Sequence, residues 1–161
     1  KRGERRPANR PEIYAEQALW IEAHPVEELI LQVICIGDLA ITAIPNEVYG
    51  ITGIKLKAQS PFEYTFNMSL ANGAAGYIPP PEQHFLGGYT TWPARTAGLE
   101  VYAEPPIEGA LLEMLEQISG QQRHTLTTDF YTAEQRAAFQ RAKADDNNRV
   151  NRGRKIVKSR D

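Results

Sequence analysis

Cysteine is almost absent from this chain, which has only Cys35 among its 161 residues, so no disulfide can form within it. Cys35 lies in the apolar run 29–36, which predicts a buried small hydrophobic side chain and not a nucleophilic thiol. No apolar run is long enough to cross a bilayer, so we expect no transmembrane segment. The chain carries no signal peptide and does not begin with Met, which we interpret as a processed product or a fragment.

A strong net charge is also lacking. The formal charge is −2 and the sequence pI is about 6.0, which argues against a general nucleic-acid binder, so we expect no nucleic-acid partner. Basic residues nevertheless gather at the two ends of the chain, where they predict solvated tails, with docking arms for an acidic partner as the alternative. They are Lys1, Arg2, Arg5, Arg6 and Arg10 at the start, and Arg149, Arg152, Arg154, Lys155, Lys158 and Arg160 at the end.

Self-contained catalytic motifs are missing as well. The three histidines, His24, His84 and His124, are scattered and fit no metal-ligand spacing. The sequence has no Gly-x-Ser-x-Gly elbow, no phosphate-binding loop and no paired-glycine dinucleotide fingerprint. No motif in the sequence therefore identifies a catalytic residue.

The hydrophobic pattern predicts a mixed α/β fold of the α+β class, with largely antiparallel strands and helices packed on them. The apolar run 28–36 predicts a strand buried on both faces, and Gly37-Asp38 predicts a tight hairpin to a second strand over 39–44. The alternation over 64–70 predicts a half-buried strand, and its apolar face carries Tyr64, Phe66, Met68 and Leu70.

Helices are predicted over 11–24, 46–60 and 107–118, the last of them ended by Gly120. In the second helix, Asn46 is expected as the N-cap and Glu47 in the first turn. The domain organisation has three parts. Residues 1–10 form a disordered basic lead-in, 11–120 form the folded unit, and 121–161 form a polar and basic tail that is partly helical or disordered. Within that tail, 132–144 can form a helix, with few residues to anchor it.

Glu47 and the segment 87–92 are the best candidates for a site. Glu47 follows an apolar strand that ends at Pro45, a common place for a rigid functional carboxylate. The structural alternative is that Glu47 only stabilises the predicted helix through the helix dipole, by roughly 0.3–1 kcal/mol. Gly87 and Gly88 predict a flexible turn immediately before Tyr89 and Trp92. The two aromatic side chains either form part of a site or pack under a loop.

Several segments, in order, resemble the neutral/alkaline (non-lysosomal) ceramidases. Residues 36–47 contain Gly-Asp, an apolar strand and Pro-Asn-Glu, where that family has Gly-Asp, an apolar strand and Pro-Gly-Glu. Residues 60–62, 70–73 and 76–78 are similar to the next strand and turn of the family. The following loop of the family carries a tyrosine, a glutamate and a second tyrosine. In this chain Tyr77, Glu82 and Tyr89 have a similar spacing. The resemblance extends over residues 27–119 and depends on the order of the motifs.

The resemblance implies the C-terminal portion of a larger ceramidase-like catalytic domain. In that family one zinc ion is held by two histidines, a glutamate and a tyrosine; Glu47 and Tyr89 match the last two. The family's histidines and active-site serine precede the matching segments, so the partner expected is the N-terminal portion of the same catalytic domain. The implied substrate is ceramide or a related N-acyl lipid, and the implied location is secreted or periplasmic. Tyr77 and Trp92 are the candidate substrate-binding residues; with Phe85 and Leu86 they either line an apolar pocket for an acyl chain or belong to the core.

Three functional hypotheses are therefore open. The first is one part of a zinc-dependent amidase, incomplete by itself. The second is a non-catalytic structural or binding relative that kept the fold without a complete metal site. The third is a docking module whose basic tails bind an acidic partner.

Overall fold

The computed structural model describes residues 9–145 and 155–156 of the chain, and these residues form a mixed α+β fold, which confirms the predicted class. The structural elements of the described residues are α1 (Arg10–Ala23), β1 (Val26–Glu27), β2 (Gln32–Ile36), β3 (Leu39–Ala43), β4 (Glu47–Val48), α2 (Gly50–Gln59), β5 (Tyr64–Met68), β6 (Tyr77–Ile78), α3 (Pro81–Leu86), a 3₁₀ turn (Tyr89–Thr91), α4 (Glu104–Ser119), α5 (Ala133–Asp145) and β7 (Lys155–Ile156). None of the helices among these residues is both long and apolar enough to cross a bilayer.

The largest sheet of the described residues has three strands in the order β2-β3-β5. The first two form the predicted hairpin, and Gly37 takes the left-handed conformation (φ +58°) that this turn needs. The expectation of antiparallel pairing is wrong for β3 and β5, which run parallel. The physical reason is the connection between them, because α2 carries the chain back across the sheet before β5 begins.

One face of this sheet packs against the helices, and that face is partly polar. Thr42 is fully buried and its Oγ1 donates to Asn67 Oδ1 at 2.9 Å. Thr65 Oγ1 donates to Ser60 Oγ at 2.7 Å. Because these side chains face inward, the apolar side chains of β5 face outward, which reverses the orientation that apolar alternation alone favours.

Strand β2 is not buried on both faces, and this prediction is wrong. Its residues alternate between exposed and half-buried, because β2 is an edge strand with helices on one side only. Cys35 lies on the half-buried side and packs against the core, so it is less buried than the sequence predicts. Burial raises the pKa of its thiol, which disfavours the reactive thiolate.

Helix α4 supplies a larger share of the buried core than any other element of the described residues. It begins three residues earlier than predicted, because prolines are tolerated in a first helical turn, and it ends at Gly120 in the left-handed conformation, as predicted. Its buried side chains meet residues from β3, α2 and β6. The fully buried apolar residues of this core include Ile44, Leu56, Ile78, Ile107, Leu111, Leu112 and Leu115.

The outer helices pack through few side chains. Helix α1 matches the predicted helix, has Asn9 as its N-cap, and contacts the loop after the 3₁₀ turn. Helix α5 also matches, and one residue anchors it: Phe139 is only 8% exposed and packs edge-on against Tyr131. The predictions for 1–8, 146–154 and 157–161 lie outside the described residues. Within the predicted tail, β7 pairs in parallel with β1.

Candidate functional site

The backbone around Glu47 is a strand and not the start of a helix, so the predicted N-cap and first helical turn are wrong. Glu47 lies in β4 and is paired in parallel register with Tyr77 of β6. Asn46 is fully buried, and its Nδ2 donates to the Ala75 carbonyl at 2.7 Å. That hydrogen bond uses the side chain for a contact with a distant loop, so it holds the Glu47 segment against the segment that carries Tyr77.

Gly76 fixes the position of the next site residue. Its φ is +80°, and a Cβ added there would lie 2.6 Å from the Thr96 carbonyl oxygen. Its own carbonyl accepts from Glu47 N at 2.9 Å, and Tyr77 N donates to the Thr96 carbonyl at 2.7 Å. Only glycine fits this close backbone approach, which places Tyr77 beside Glu47.

Tyr89 is delivered by a loop whose two glycines have positive φ angles, 83° at Gly87 and 111° at Gly88. The ring of Tyr89 meets the ring of Tyr77 edge-on, with 5.6 Å between centroids. Next to it, the buried Thr90 shares a 2.7 Å hydrogen bond with the Tyr49 hydroxyl. The loop is thereby attached to the chain that follows Glu47.

Glu47, Tyr77 and Tyr89 line one open cavity of about 310 Å³. The other lining residues are Val48, Tyr49, Gly88 and Thr90. The hydrogen bond with Tyr89, followed by the negative charge of Glu47, raises the pKa of Tyr77. The cavity therefore presents the side-chain oxygens of one glutamate and two tyrosines, which can act as ligands or hydrogen-bond partners.

Trp92, the other predicted substrate-binding residue, lies in a different environment. Its ring packs edge-on against Tyr14 of α1, with 5.5 Å between centroids, and it remains 40% exposed. The structure thus brings together Glu47, Tyr77 and Tyr89, and places Trp92 at the contact between α1 and the loop.

The oxygen donors at the cavity fit part of a zinc site. Zinc sites in proteins usually have four ligands, and a glutamate is a common member of such a set. Among the described residues there is no group of three or more His, Cys, Asp or Glu side chains able to hold a metal. His24 stacks on Trp20, and His84 is buried in α3. No histidine is among the described residues that line this cavity.

Sequence reasoning missed Tyr49 and Thr90. Tyr49 follows Glu47 by two residues, the spacing that places two side chains on the same side of a strand. That signal was available, but the segment was interpreted as a helix. Thr90 carries no sequence signal beyond its position beside Tyr89.

A second polar cluster lies in the core between α2 and α4. Glu104 is 0% exposed and accepts from Thr52 Oγ1 at 2.6 Å and from Lys55 Nζ at 2.9 and 3.0 Å. Burial, followed by the negative charge of Glu104, raises the pKa of Glu108 to about 8. The signal for this cluster was Glu104 and Glu108, four residues apart on the apolar stripe of a helix.

Comparison with known proteins gives no relative for this chain: no family model, no curated protein and no solved structure matches it.

Proposed function

We propose that this chain is the C-terminal portion of a zinc-dependent amidohydrolase resembling the neutral ceramidases. Its substrate would be the N-acyl amide bond of ceramide or of a related N-acyl lipid. The observation that supports the proposal most strongly is the convergence of Glu47, Tyr77 and Tyr89, which are far apart in the sequence, at one cavity. These are three of the residues that the resemblance assigns to the site.

The proposed ligands from this chain are the Glu47 carboxylate and the Tyr89 phenol, and the other two come from the N-terminal portion of the catalytic domain. A zinc ion supplies Lewis acidity toward an amide carbonyl and lowers the pKa of its water to about 7. Two rigid backbone features support a metal-binding role for this half of the site. The Asn46 side chain donates a hydrogen bond to the Ala75 carbonyl, and Gly76 packs closely against the Thr96 backbone. These two contacts fix the backbone positions of Glu47 and Tyr77.

Tyr77 is proposed to orient the other two groups and to border the bound substrate. Its pKa is raised by the interaction with Tyr89 and by the negative charge of Glu47, so its hydroxyl stays protonated. A neutral phenol can donate a hydrogen bond to a carboxylate or to a substrate oxygen. Trp92 is proposed to contact the acyl chain beyond the cavity, at the α1 side of the loop.

The second candidate function is a non-catalytic relative that kept the fold. One observation favours it: the described residues contribute only oxygen donors to the cavity and contain no cluster of metal-binding side chains. In that case Glu47, Tyr77 and Tyr89 form a structural hydrogen-bonded group. The proposed secreted or periplasmic location depends on the resemblance and holds only for the enzyme.

The test measures zinc per chain in the intact native protein by plasma mass spectrometry, together with hydrolysis of an N-acyl sphingosine. About one zinc per chain is expected, and Glu47→Gln and Tyr89→Phe should each lower zinc occupancy and hydrolysis at least tenfold. Glu63→Gln, at an exposed carboxylate outside the cavity, is the matched control and should keep both.

Full zinc occupancy in both cavity variants would reject the ligand assignment. A stable protein without zinc and without hydrolysis would favour the non-catalytic relative.

A further inference from the structure

The three-stranded sheet has an apolar face on which none of the helices among the described residues packs. Strand pairing aligns its side chains in rows, because residues paired across neighbouring strands share a face. We call this surface the open sheet face. Its large apolar members are Ile34, Ile36, Leu39, Ile41, Tyr64, Phe66 and Met68, and the row that contains Met68 also contains Gln32 and the buried Ala43.

Five of the large apolar members are exposed, and Leu39 and Ile41 of the central strand are half-buried. Ile36 is 64% exposed, Tyr64 is 58% exposed and Ile34 is 51% exposed. With roughly 200 Å² for a large side chain, the exposed parts total on the order of 600 Å². That is at the upper end of the largest apolar patches on monomeric proteins, about 300–600 Å², and such patches usually mark an interaction surface.

The composition of the open sheet face indicates what can bind there. All of its members are uncharged, and the nearby carboxylates, Asp38 and Glu63, lie in the chain segments that flank β3 and β5. A symmetric interface requires a surface that is compatible with itself, because the same patch is used by both subunits. An uncharged apolar sheet satisfies this condition, since bringing two copies together opposes no like charges inside the contact.

We propose that the open sheet face binds a second copy of this chain, sheet against sheet, across a two-fold axis. Two such faces would remove on the order of 1,200 Å² from water, which reaches the lower limit of specific protein interfaces. Sheets that stack face to face lie about 10 Å apart and interdigitate their inner side chains, a packing that rows of Ile, Phe and Met can form.

The dimer goes beyond the proposed enzymatic function and does not depend on zinc. It does approach the candidate site: a groove of about 220 Å³ runs from Phe66 of the open sheet face to Val48 and Tyr49. Both of these residues also line the Glu47 cavity. A second copy on the face would therefore border the site without occupying it.

The test is sedimentation velocity on the full chain from about 1 to 200 µM, with circular dichroism as the check on folding. A concentration-dependent species of twice the 18.0 kDa chain mass is expected. Ile36→Lys, which places a charge at the most exposed member of the face, should shift the dissociation constant at least tenfold toward monomer. Leu19→Lys is the matched control, because Leu19 is 67% exposed on α1, away from the sheet, and should leave the dimer intact.

A second measurement locates the contact. Ile41 lies in the middle row of the central strand, so two copies of it should approach each other at the two-fold axis. A short bismaleimide should join two chains of the Cys35→Ser/Ile41→Cys double variant, and Ile36→Lys added to that variant should abolish the product. A wild-type chain that is monomeric at every concentration, open-ended aggregation, or a dimer that Ile36→Lys leaves unchanged would overturn the proposal. A face covered only by a different polypeptide, in a monomeric chain, would also overturn it.

Discussion

Glu47 and Tyr77 lie directly opposite each other in the two-residue parallel pair of β4 and β6. The pairing brings a carboxylate to a phenol, and Tyr89 completes the group from a third segment. The chain between the two paired residues contains α2 and β5, so the contact depends on the tertiary fold and not on local sequence. The electrostatics of the group can be tested without any metal.

Removing the charge of Glu47 should lower the pKa of Tyr77. A nearby negative charge opposes ionisation of a phenol, so Glu47→Gln should move the pKa of Tyr77 down toward 10, its ordinary value. Tyr89→Phe should lower it as well, because the hydrogen bond with Tyr89 is the largest cause of the shift. The measurement is an ultraviolet difference titration of tyrosinate, with Tyr77→Phe to assign the signal and Glu63→Gln as control. An unchanged titration in both variants would contradict the described contacts.

Replacing Gly76 should be far more damaging than replacing Gly37, although both have positive φ angles. A Cβ at Gly76 would lie 2.6 Å from the Thr96 carbonyl oxygen, whereas one at Gly37 meets nothing within 4 Å. Gly37→Ala should therefore cost about 1–2 kcal/mol of unfolding free energy, the ordinary left-handed penalty. Gly76→Ala should cost at least about 3 kcal/mol.

Urea denaturation of the two glycine variants provides the comparison, with tyrosine fluorescence and near-ultraviolet dichroism to follow the environment of Tyr77. Equal free energies of unfolding for Gly76→Ala and Gly37→Ala would show that the backbone approach to Thr96 is looser than described.

The stability of the fold should decrease as the pH rises from about 4.5 to 8, through the contribution of Glu108. Its pKa is raised to about 8 from 4.5, so in this interval the folded state holds a proton that the unfolded state has lost. Each pH unit then lowers the free energy of unfolding by at most about 1.4 kcal/mol, and the contribution becomes constant above the folded pKa. Lys55, Glu104 and Glu82 are the charged groups that act on Glu108.

Glu108→Gln should remove this dependence, because an amide has no proton to lose and can donate to the Glu104 carboxylate. At pH 8.5 the variant should be about 1–3 kcal/mol more stable than the wild type, since it removes a poorly compensated buried charge. Thermal unfolding at several pH values measures the effect, with Glu113→Gln on the exposed side of α4 as control. A wild-type slope that persists in Glu108→Gln would assign the pH dependence to other groups.

Phe139→Ala should release α5 without unfolding the core. Phe139 is the buried residue of this helix, and its ring contact with Tyr131 contributes much of the attachment. The loss of a buried aromatic side chain should lower the local opening free energy by about 2 kcal/mol or more. Hydrogen exchange should accelerate over 133–145 and stay unchanged in α4. Arg141→Ala, at an exposed position of the same helix, should retain the wild-type protection.

Local signals in the sequence predicted local structure well. Gly37-Asp38 identified the hairpin, and Gly120 identified the end of α4, because in both places glycine supplies a conformation that other residues avoid. The mixed α+β class followed from the same signals. Errors arose where a distant segment decides the outcome. Asparagine is a residue type that is common at N-caps, yet the Asn46 side chain donates a hydrogen bond to the Ala75 carbonyl, and Glu47 pairs with Tyr77 in a strand.

The candidate site divides in the same way. Glu47 and Tyr89 are predicted from their places in the chain and again from the resemblance, which also includes Tyr77, and the structure brings all three to one cavity. Tyr49 is missed because its segment is predicted to be a helix, and Thr90 is missed because its hydrogen bond with Tyr49 joins two segments that are far apart in the sequence. For β5, alternation correctly grouped the apolar residues on one face, but it contains no information on which face the helices cover.

The hydrogen bond between Thr42 of β3 and Asn67 of β5 therefore favours an orientation of β5 that leaves the apolar side chains of this strand exposed. A slip of β5 by one residue would turn Phe66 toward α2 and bury it, at the cost of leaving Thr42 Oγ1 without its partner. Local preference and tertiary structure conflict here, which is a case of energetic frustration. Covering the outward apolar side chains relieves that conflict, so assembly would favour correct folding of the sheet as well as bury its surface.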